Sequence, residues 1–255
     1  MTYLEIENKI KIAKPIDFGN LINDVLELFK KIWLKGFITI LLIMATALGV
    51  IFVFTMIGLA PQNVTAQQIL NFEVFYQSYV TSVIYGIPQT ILLSTCILAF
   101  LGAFYRICRQ DIEGENKEAD YFYFFKKAYF SKVLMLGIIY TAIAVLAQLM
   151  FIVPYIYVYI PLSFFSVILA NHPEMVELDI VKLSFKLGNK KWFIAFITMF
   201  LAGIIGMLGM IACGIGVLFT MSIVYLPAFL IYKEVVGFQD CKHIVTVENQ
   251  TKTNL

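Results

Sequence analysis

Residues 30–59 have the sequence KKIWLKGFITILLIMATALGVIFVFTMIGL. The 24 residues from 36 to 59 contain no Asp, Glu, Lys or Arg. A helix of this length crosses the roughly 30 Å hydrocarbon core of a bilayer, because it rises about 1.5 Å per residue. Lysines and Trp33 precede the apolar run, as is typical of a membrane–water interface. The stretch therefore predicts a transmembrane helix that starts at a membrane surface.

Five more apolar windows follow along the chain. Of its 255 residues 60% are hydrophobic and 14% are charged, whereas soluble domains are about 45–50% apolar and roughly 25% charged. This composition predicts an all-α integral membrane protein with a six-helix membrane domain at 17–238. The six predicted spans lie near 36–59, 83–105, 133–153, 155–171, 192–212 and 215–236.

The basic residues indicate the orientation. All 19 Lys and Arg residues can lie on one side of a membrane that is crossed six times. The 60–82 loop on the other side has no Lys or Arg and one acid, Glu73, and the turns at Pro154 and at 213–214 are too short to test the bias. By the positive-inside rule we expect both termini in the cytoplasm. The basic residues fall in the segments 1–35, 106–132, 172–191 and 233–255.

An aromatic and lysine-rich segment precedes each odd-numbered span. These segments are LFKKIW at 28–33, FFKKAY at 124–129 and SFKLGNKKW at 184–192. The fourth and sixth spans share the patterns VYIP at 158–161 and VYLP at 224–227. We predict three pseudo-repeats, each a cytoplasmic amphipathic helix followed by a membrane hairpin. The alternative is that Phe-Lys-Lys is a common composition at a membrane interface.

The introducing segments are predicted to be interfacial helices. From Phe18 to Trp33 the apolar residues follow helical spacing, and Asp17 is the expected N-cap. In the third unit we expect residues 172–174 to open the helix and residues 188–189 to close it. Such helices lie in the headgroup plane, where lysines attract anionic lipid. The expected anionic-lipid contacts are Lys30, Lys31, Lys126, Lys127, Lys190 and Lys191.

The two ends of the chain differ from the membrane domain. Residues 4–12 (LEIENKIKI) alternate apolar and polar side chains with period two, which is typical of a strand. Residues 243–248 are β-rich. We therefore predict a cytoplasmic N-terminal segment at 1–16 with a short strand, which could pair with the cytoplasmic tail at 239–255.

The sequence contains no pattern typical of a catalytic or metal site. There are two His residues, and the four Cys show no C-x-x-C spacing, so we expect neither a metal nor a cofactor. No acid lies well inside a predicted span, which argues against a proton-coupled pump of the usual kind. We expect no catalytic residues, and an enzyme is the least favoured class.

Polar groups and prolines within the spans are the better candidates for a binding site. A large amide in hydrocarbon needs a hydrogen-bond partner, and a proline frees a backbone carbonyl, as in the broken helices of transporters. Hydrogen bonding between helices and simple kinks are the alternatives. The candidate ligand-binding or polar-core residues are Gln89, Gln148, Tyr159, Pro161, Tyr225 and Pro227.

Four stretches carry a family resemblance. Residues 16–33, 102–125, 163–192 and 214–237 resemble a group of uncharacterised bacterial multi-span proteins, including members from Bacteroidetes. That group is similar to the membrane domain fused to some glycerophosphodiester phosphodiesterases. The resemblance implies a six-helix protein of the bacterial inner membrane and supplies no catalytic residues.

Three functions remain open from sequence. The first is a non-enzymatic protein that handles or senses lipid or supports the envelope, with anionic headgroups as partners. The second is a permease for a neutral or apolar solute, because the spans contain kinking prolines and buried amides without charge. The third is a lipid-modifying enzyme. We expect no nucleic-acid partner, and a homo-oligomer is an open alternative to a monomer.

Overall fold

The computed structural model describes residues 1–59, 72–115, 118–150, 152–210 and 216–238. These residues form helices and turns, and no strand occurs among them. Short 3-10 turns lie at Tyr123–Phe125, Leu208–Met210 and Met221–Tyr225. The α-helices are α1 (Tyr3–Ile12), α2 (Phe18–Met56), α3 (Phe72–Tyr85), α4 (Ile87–Ile112), α5 (Lys127–Leu149), α6 (Ile152–Asn171), α7 (Glu177–Lys190), α8 (Trp192–Met207), α9 (Gly216–Thr220) and α10 (Leu226–Val236).

Within the described ranges, six helical segments are long and apolar enough to cross a membrane. This confirms the prediction of an all-α protein with six candidate spans. The sixth consists of α9, the 3-10 turn Met221–Tyr225 and α10, and we call it the sixth span. The six segments are Phe18–Met56, Ile87–Ile112, Lys127–Leu149, Val153–Asn171, Trp192–Met210 and Gly216–Val236.

The predicted first interfacial helix and the first span are one continuous helix. Helix α2 has 39 residues, and the prediction that Asp17 caps it is confirmed, since Asp17 Oδ1 accepts the Asn20 N–H at 2.8 Å. The predicted start of the span near residue 36 therefore falls inside a helix rather than at a helix end. Gly36 is a site of close packing, where a Cβ would lie 2.3 Å from Ser222 Oγ. The apolar face of the first half packs against other helices through buried side chains: Leu21, Val25, Leu28 and Ile32.

The predicted N-terminal strand is wrong, because residues 3–12 form helix α1. Thr2 and Glu5 form a reciprocal capping box, in which each side chain accepts the other residue's backbone N–H. Ile6 and Ile10, four residues apart, are buried on one face of the helix. A capped helix with a packed apolar stripe therefore prevails over the period-two pattern. The proposed partner strand at 243–248 and the tail at 239–255 lie outside the described residues.

The segments before the third and fifth spans differ from the predicted interfacial helices. Residues 123–125 form a 3-10 turn, and Phe124 is buried against α4, where a Cβ at Gly102 would lie 2.9 Å from its ring. The third segment is helix α7, which starts after Val176 and continues through Gly188. Its predicted opening at 172–174 is thus too early. The helix ends at Lys190 rather than at 188–189, and Gly188 within it packs closely on Pro161.

Two span boundaries also differ from prediction. The second span starts at Ile87 rather than near residue 83, because Pro88 in the first turn of α4 cannot donate a hydrogen bond back into α3. The connection between α5 and α6 lies before Ile152, so Pro154 belongs to the first turn of α6, where a proline is tolerated. The predicted turn at 213–214 lies outside the described residues.

Helices α4 and α6 contribute many of the buried core residues. The second half of α6 is almost completely enclosed by α4, α5, α7 and α10. By contrast, many side chains in the second half of α2 are exposed and apolar, as is expected where lipid surrounds a helix. The side chains of α6 with no exposed surface are Phe164, Phe165, Val167, Ile168 and Leu169.

Polar contacts join the four lysine-containing segments to one another. They link α1 with α7 and with the end of α10, α2 with the end of α4, and α5 with the residues before α7. These contacts fix the ends of these helices relative to one another. They are Glu7 to Lys186 (2.9 Å), Lys9 to the Val236 carbonyl (2.6 Å), Lys35 to Asp111 (2.7 Å) and Lys132 to the Met175 carbonyl (2.9 Å).

Candidate functional site

A cavity of about 350 Å³ lies between α4, α5, α6, α8 and the sixth span. This volume lies within the range of about 300–1,000 Å³ that is typical of small-molecule sites. None of the described residues that line it is charged. The lining residues are Thr90, Leu93, Ser94, Ile97, Leu98, Leu101, Tyr105, Tyr140, Tyr159, Leu162, Ser163, Ser166, Met199, Val224, Tyr225 and Ala228.

One face of α4 forms the longest wall of the cavity. Its lining residues begin at Thr90 and end at Tyr105, and they recur three or four residues apart, which places them on one side of a helix. Fifteen residues correspond to about 22 Å along the helix axis. The cavity is therefore long enough for an extended chain and is mostly apolar, with hydroxyl groups at intervals.

Four of the lining residues are tyrosines, one each from α4, α5, α6 and the sixth span. The Tyr105 hydroxyl donates to the Tyr225 carbonyl oxygen at 3.0 Å, and the Tyr140 ring packs edge-on against Phe165. Tyr159 is 39% exposed, so its side chain lies between the cavity and the molecular surface. Tyrosines combine a large apolar ring with one hydrogen-bonding group, which suits a ligand that is itself mostly apolar.

The small hydroxyl side chains of the cavity bond mainly to the protein. Ser94 Oγ lies 2.8 Å from Thr141 Oγ1 and 3.1 Å from the Gly137 carbonyl oxygen, which joins α4 to α5. Ser163 Oγ donates to the Ile160 carbonyl oxygen at 2.7 Å. These bonds satisfy the hydroxyls in an apolar setting and leave a wall of low polarity.

The two motif prolines occupy different backbone environments. Pro161 lies inside α6, so the carbonyl of Tyr157, four residues earlier, has no intrahelical N–H to accept. That carbonyl accepts the Trp192 indole N–H at 3.0 Å. Pro227 instead lies in the first turn of α10, after the 3-10 turn. Both prolines lie two residues after a motif tyrosine that lines the cavity.

An apolar groove of about 290 Å³ adjoins the cavity. Tyr159, Met199 and Val224 line both. The rest of the groove is formed mainly by α8, where Phe200 is 63% exposed and Ile204 and Met207 are also exposed. The groove therefore lies on the outer surface of the helices, next to the cavity.

Two of the six predicted polar-core residues line the cavity, namely Tyr159 and Tyr225. Pro161 and Pro227 are close in sequence but lie outside the lining. Gln89 is 9% exposed, and its Oε1 has no hydrogen-bond partner among the described residues. Gln148 is half-buried at the end of α5, where its backbone carbonyl accepts the Tyr79 hydroxyl at 3.2 Å. The structure does not bring either glutamine to the cavity.

The predicted lipid-contact lysines fall into two groups. Lys30, Lys31, Lys126, Lys127 and Lys190 are exposed, and Lys126 also pairs with Asp120 at 2.5 Å. Lys191 is only 6% exposed and donates to the Lys14 carbonyl oxygen. Burial, together with the nearby charge of Lys190, lowers the pKa of the Lys191 ammonium. The prediction for Lys191 is therefore wrong, because its ammonium is occupied inside the protein.

Sequence reasoning missed Tyr105, Tyr140 and Ser94. Tyr105 is almost completely buried, and all three line the cavity. A helical repeat of Thr90, Ser94 and, further along, Tyr105 on one face of α4 is the signal that could have indicated a polar stripe. The partners across the cavity come from other helices, so sequence spacing alone does not reveal them.

The other titratable groups of the described residues form no site comparable with the cavity. Among the described residues, no cluster of three or more His, Cys, Asp or Glu side chains could hold a metal ion. His172 Nε2 lies 2.7 Å from the Tyr232 hydroxyl, and burial, with the positive N-terminus, Arg109 and Lys9 nearby, lowers the pKa of His172 to about 4. This pair joins the end of α6 to α10.

No protein-family model, no curated protein and no solved structure matches this chain. The resemblance of 163–192 and the other three stretches to bacterial multi-span proteins therefore stays a prediction.

Proposed function

We propose that this chain is a non-enzymatic, multi-pass protein of the bacterial inner membrane that holds an uncharged lipid in the cavity between its helices. The observation that carries the proposal is the cavity itself, about 350 Å³ in volume and without a charged lining residue among those described. A charged ligand buried there would lack a counter-ion and would be strongly disfavoured. An uncharged amphipathic molecule fits both the apolar wall and the four tyrosines.

The exposed lysines support an orientation with both termini in the cytoplasm. Contacts join the four lysine-containing segments, and the cytoplasmic leaflet is the anionic one, attracting each nearby lysine by about 1 kcal/mol. We propose that Lys30, Lys31, Lys127 and Lys190 contact anionic headgroups. Changing these four to Gln should reduce the anionic lipid that co-purifies, whereas Lys191→Gln should affect stability instead. Unchanged retention in the fourfold variant would contradict the proposal.

The cavity is tested by native mass spectrometry and lipid analysis of the protein in native lipid discs. The wild type should carry a stoichiometric, enriched, uncharged lipid. Ala228→Phe fills the cavity from its wall and should remove that lipid. The matched control is Ala45→Phe, the same change at an exposed position of α2, which should retain it. Bulk lipid alone in all three proteins would contradict the proposal.

A permease for a neutral or apolar solute is the second candidate. It is favoured by the sixth span, whose hydrogen bonding changes to a 3-10 turn at Met221–Tyr225 beside the cavity. Transporters place such discontinuous helices at their binding sites. The two functions differ in flux: a permease in liposomes carries an uncharged probe across the bilayer and Ala228→Phe stops it, whereas a lipid-holding protein binds the probe without carrying it across.

A further inference from the structure

The groove on α8 adjoins the cavity at the outer surface of the helices. It is lined by Phe196, Met199, Phe200, Gly203, Ile204 and Met207 of α8, by Tyr159 and Ile160 of α6, and by Val224. Several of these side chains are exposed, although they belong to segments long and apolar enough to cross a membrane. In the bilayer such a surface faces hydrocarbon rather than water.

We propose that this groove is a lateral entrance that binds the hydrocarbon chain of an uncharged membrane lipid and leads it past Tyr159 into the cavity. The inference rests on the proposed function of the cavity. Its support is geometric: Tyr159, Met199 and Val224 line both spaces, so a chain in the groove already touches the cavity wall. The lining has no charge, which selects a hydrocarbon chain over a headgroup.

Tyr159 occupies the boundary between the two spaces. Its side chain is 39% exposed, and exposed side chains change rotamer within ps to ns. A rotation of the ring would change the width of the passage while the backbone of the continuous helix α6 stays in place. The Tyr159 hydroxyl group can donate to or accept from the uncharged polar end of a ligand.

Gly203 gives a direct way to block the groove. A Cβ at Gly203 meets no atom within 4 Å, and Gly203 itself lines the groove but not the cavity, so Gly203→Phe adds a ring on the groove side. Gly49 in α2 is also exposed, and a Cβ added there meets no atom within 4 Å either. Gly49→Phe is therefore the matched control, with the same loss of glycine and gain of a ring on another apolar helix.

The experiment uses the full chain in lipid discs and a monoacylglycerol with a photoreactive diazirine in mid-chain. Brief illumination at increasing times after mixing, followed by peptide mapping, gives the rate at which groove and cavity residues are labelled. In the wild type and in Gly49→Phe we expect labelling first near Phe200 and Ile204 and then near Tyr225 and Ser166. In Gly203→Phe, labelling of the groove should be lost and labelling of the cavity should become several-fold slower.

The outcomes separate the entrance from the cavity. Labelling of the cavity in Gly203→Phe at the wild-type rate would overturn the lateral entrance while leaving the cavity as a binding site. An unlabelled cavity in every protein, with Ala228→Phe no different from wild type, would overturn the proposed function and the entrance with it. Slower cavity labelling in Gly203→Phe but not in Gly49→Phe supports both.

Discussion

The patterns VYIP at 158–161 and VYLP at 224–227 differ by one residue, yet the protein folds them in two ways. In α6 the proline lies inside a continuous helix. In the sixth span it lies in the first turn of α10, after a 3-10 turn. In both, the tyrosine two residues earlier lines the cavity. In both copies of the pattern the tyrosine therefore lines the cavity, while the surroundings determine whether the backbone is α-helical or forms a 3-10 turn.

The difference lies in what bonds to the carbonyl that each proline leaves without its usual donor. In α6 the Tyr157 carbonyl accepts the Trp192 indole N–H, so the helix continues. In the sixth span the Ile223 carbonyl accepts the backbone N–H of Leu226, which tightens the chain into a 3-10 turn. Where the donor comes from another helix, as at Tyr157, the α-helix continues. Where the donor is a backbone N–H of the same segment, as at Ile223, the chain forms a 3-10 turn.

The largest expected effect is at Gly188, which holds α7 against the α6 proline. Gly188→Ala places a Cβ 2.6 Å from Pro161 Cα, and because that atom is backbone the two helices must separate. Overpacking of this kind costs typically 1–3 kcal/mol, which exceeds the gain of up to about 1 kcal/mol in helix propensity. We expect a net loss of stability of about 1–2 kcal/mol in reversible unfolding in mixed micelles.

Gly203→Ala is the control for this substitution, because its Cβ meets nothing within 4 Å. It should be neutral or slightly stabilising. Equal stability of Gly188→Ala and Gly203→Ala would show that α7 does not hold the α6 motif in place.

The next largest loss of stability is expected where the VYLP motif of the sixth span, residues 224–227, is held by a hydrogen bond. Tyr105→Phe removes the hydroxyl that donates to the Tyr225 carbonyl at 3.0 Å and leaves a buried acceptor without that donor. The expected loss is about 1–2 kcal/mol, measured by the same unfolding assay. Tyr85→Phe, at an exposed tyrosine of α3, should change stability little. A similar loss in both variants would mean that the bond to Tyr225 is not the cause.

A smaller effect is expected for the donor in the α6 motif. Trp192→Phe keeps an aromatic ring but removes the N–H to Tyr157, at a cost of about 1 kcal/mol since the bond is partly exposed. Pro161→Ala restores a backbone N–H to the same carbonyl. The loss from Trp192→Phe should therefore shrink in the Pro161→Ala background and persist in Pro227→Ala. Equal losses in both backgrounds would contradict the assignment of the indole to that carbonyl.

The smallest expected effect is a pH dependence of stability that arises at the pair His172 and Tyr232. This pair joins the end of α6 to α10, the two helices that contain the motif prolines. The pKa of His172 is lowered from 6.5 to about 4, chiefly by burial, where its ring lies beside Tyr232. Unfolding exposes His172, which then binds a proton more readily, so stability should fall as the pH drops from about 6.5 towards about 4. Thermal unfolding at pH 7 and pH 5 should show this loss in the wild type and less of it in His172→Gln. An equal loss in the variant would assign the effect to other groups.

Hydropathy and charge predict much of the fold. A run such as 36–59 is long and apolar enough to cross the hydrocarbon core, so its length and composition are enough to predict a crossing helix. The extension of α2 back to Phe18 as one unbroken helix is harder to predict, since hydropathy alone does not show whether the amphipathic segment before residue 36 continues into the apolar one. The helix at residues 3–12 could have been predicted from Thr2 and Glu5, which have the spacing of a capping box.

The candidate site is predictable only in part. The repeated motif points to Tyr159 and Tyr225, whereas Tyr105 and Tyr140 face them across the cavity from separate helices. Gln89 and Gln148 are candidates by the rule that polar groups in hydrocarbon need partners, but the rule does not say where partners lie, and Gln89 Oε1 has none among the described residues. Lys191 differs from its exposed neighbour Lys190 because it is buried and donates to the Lys14 carbonyl, a residue far away in sequence.

The length of helix α2 has a consequence for its reach. Its 39 residues give a rod of about 58 Å, nearly twice the roughly 30 Å thickness of the hydrocarbon core. About half of the helix must therefore extend beyond the hydrocarbon when the other half crosses it. The half that precedes Lys35 contains the buried side chains Leu21, Val25 and Leu28, so the helix that crosses the membrane also builds part of the core outside it.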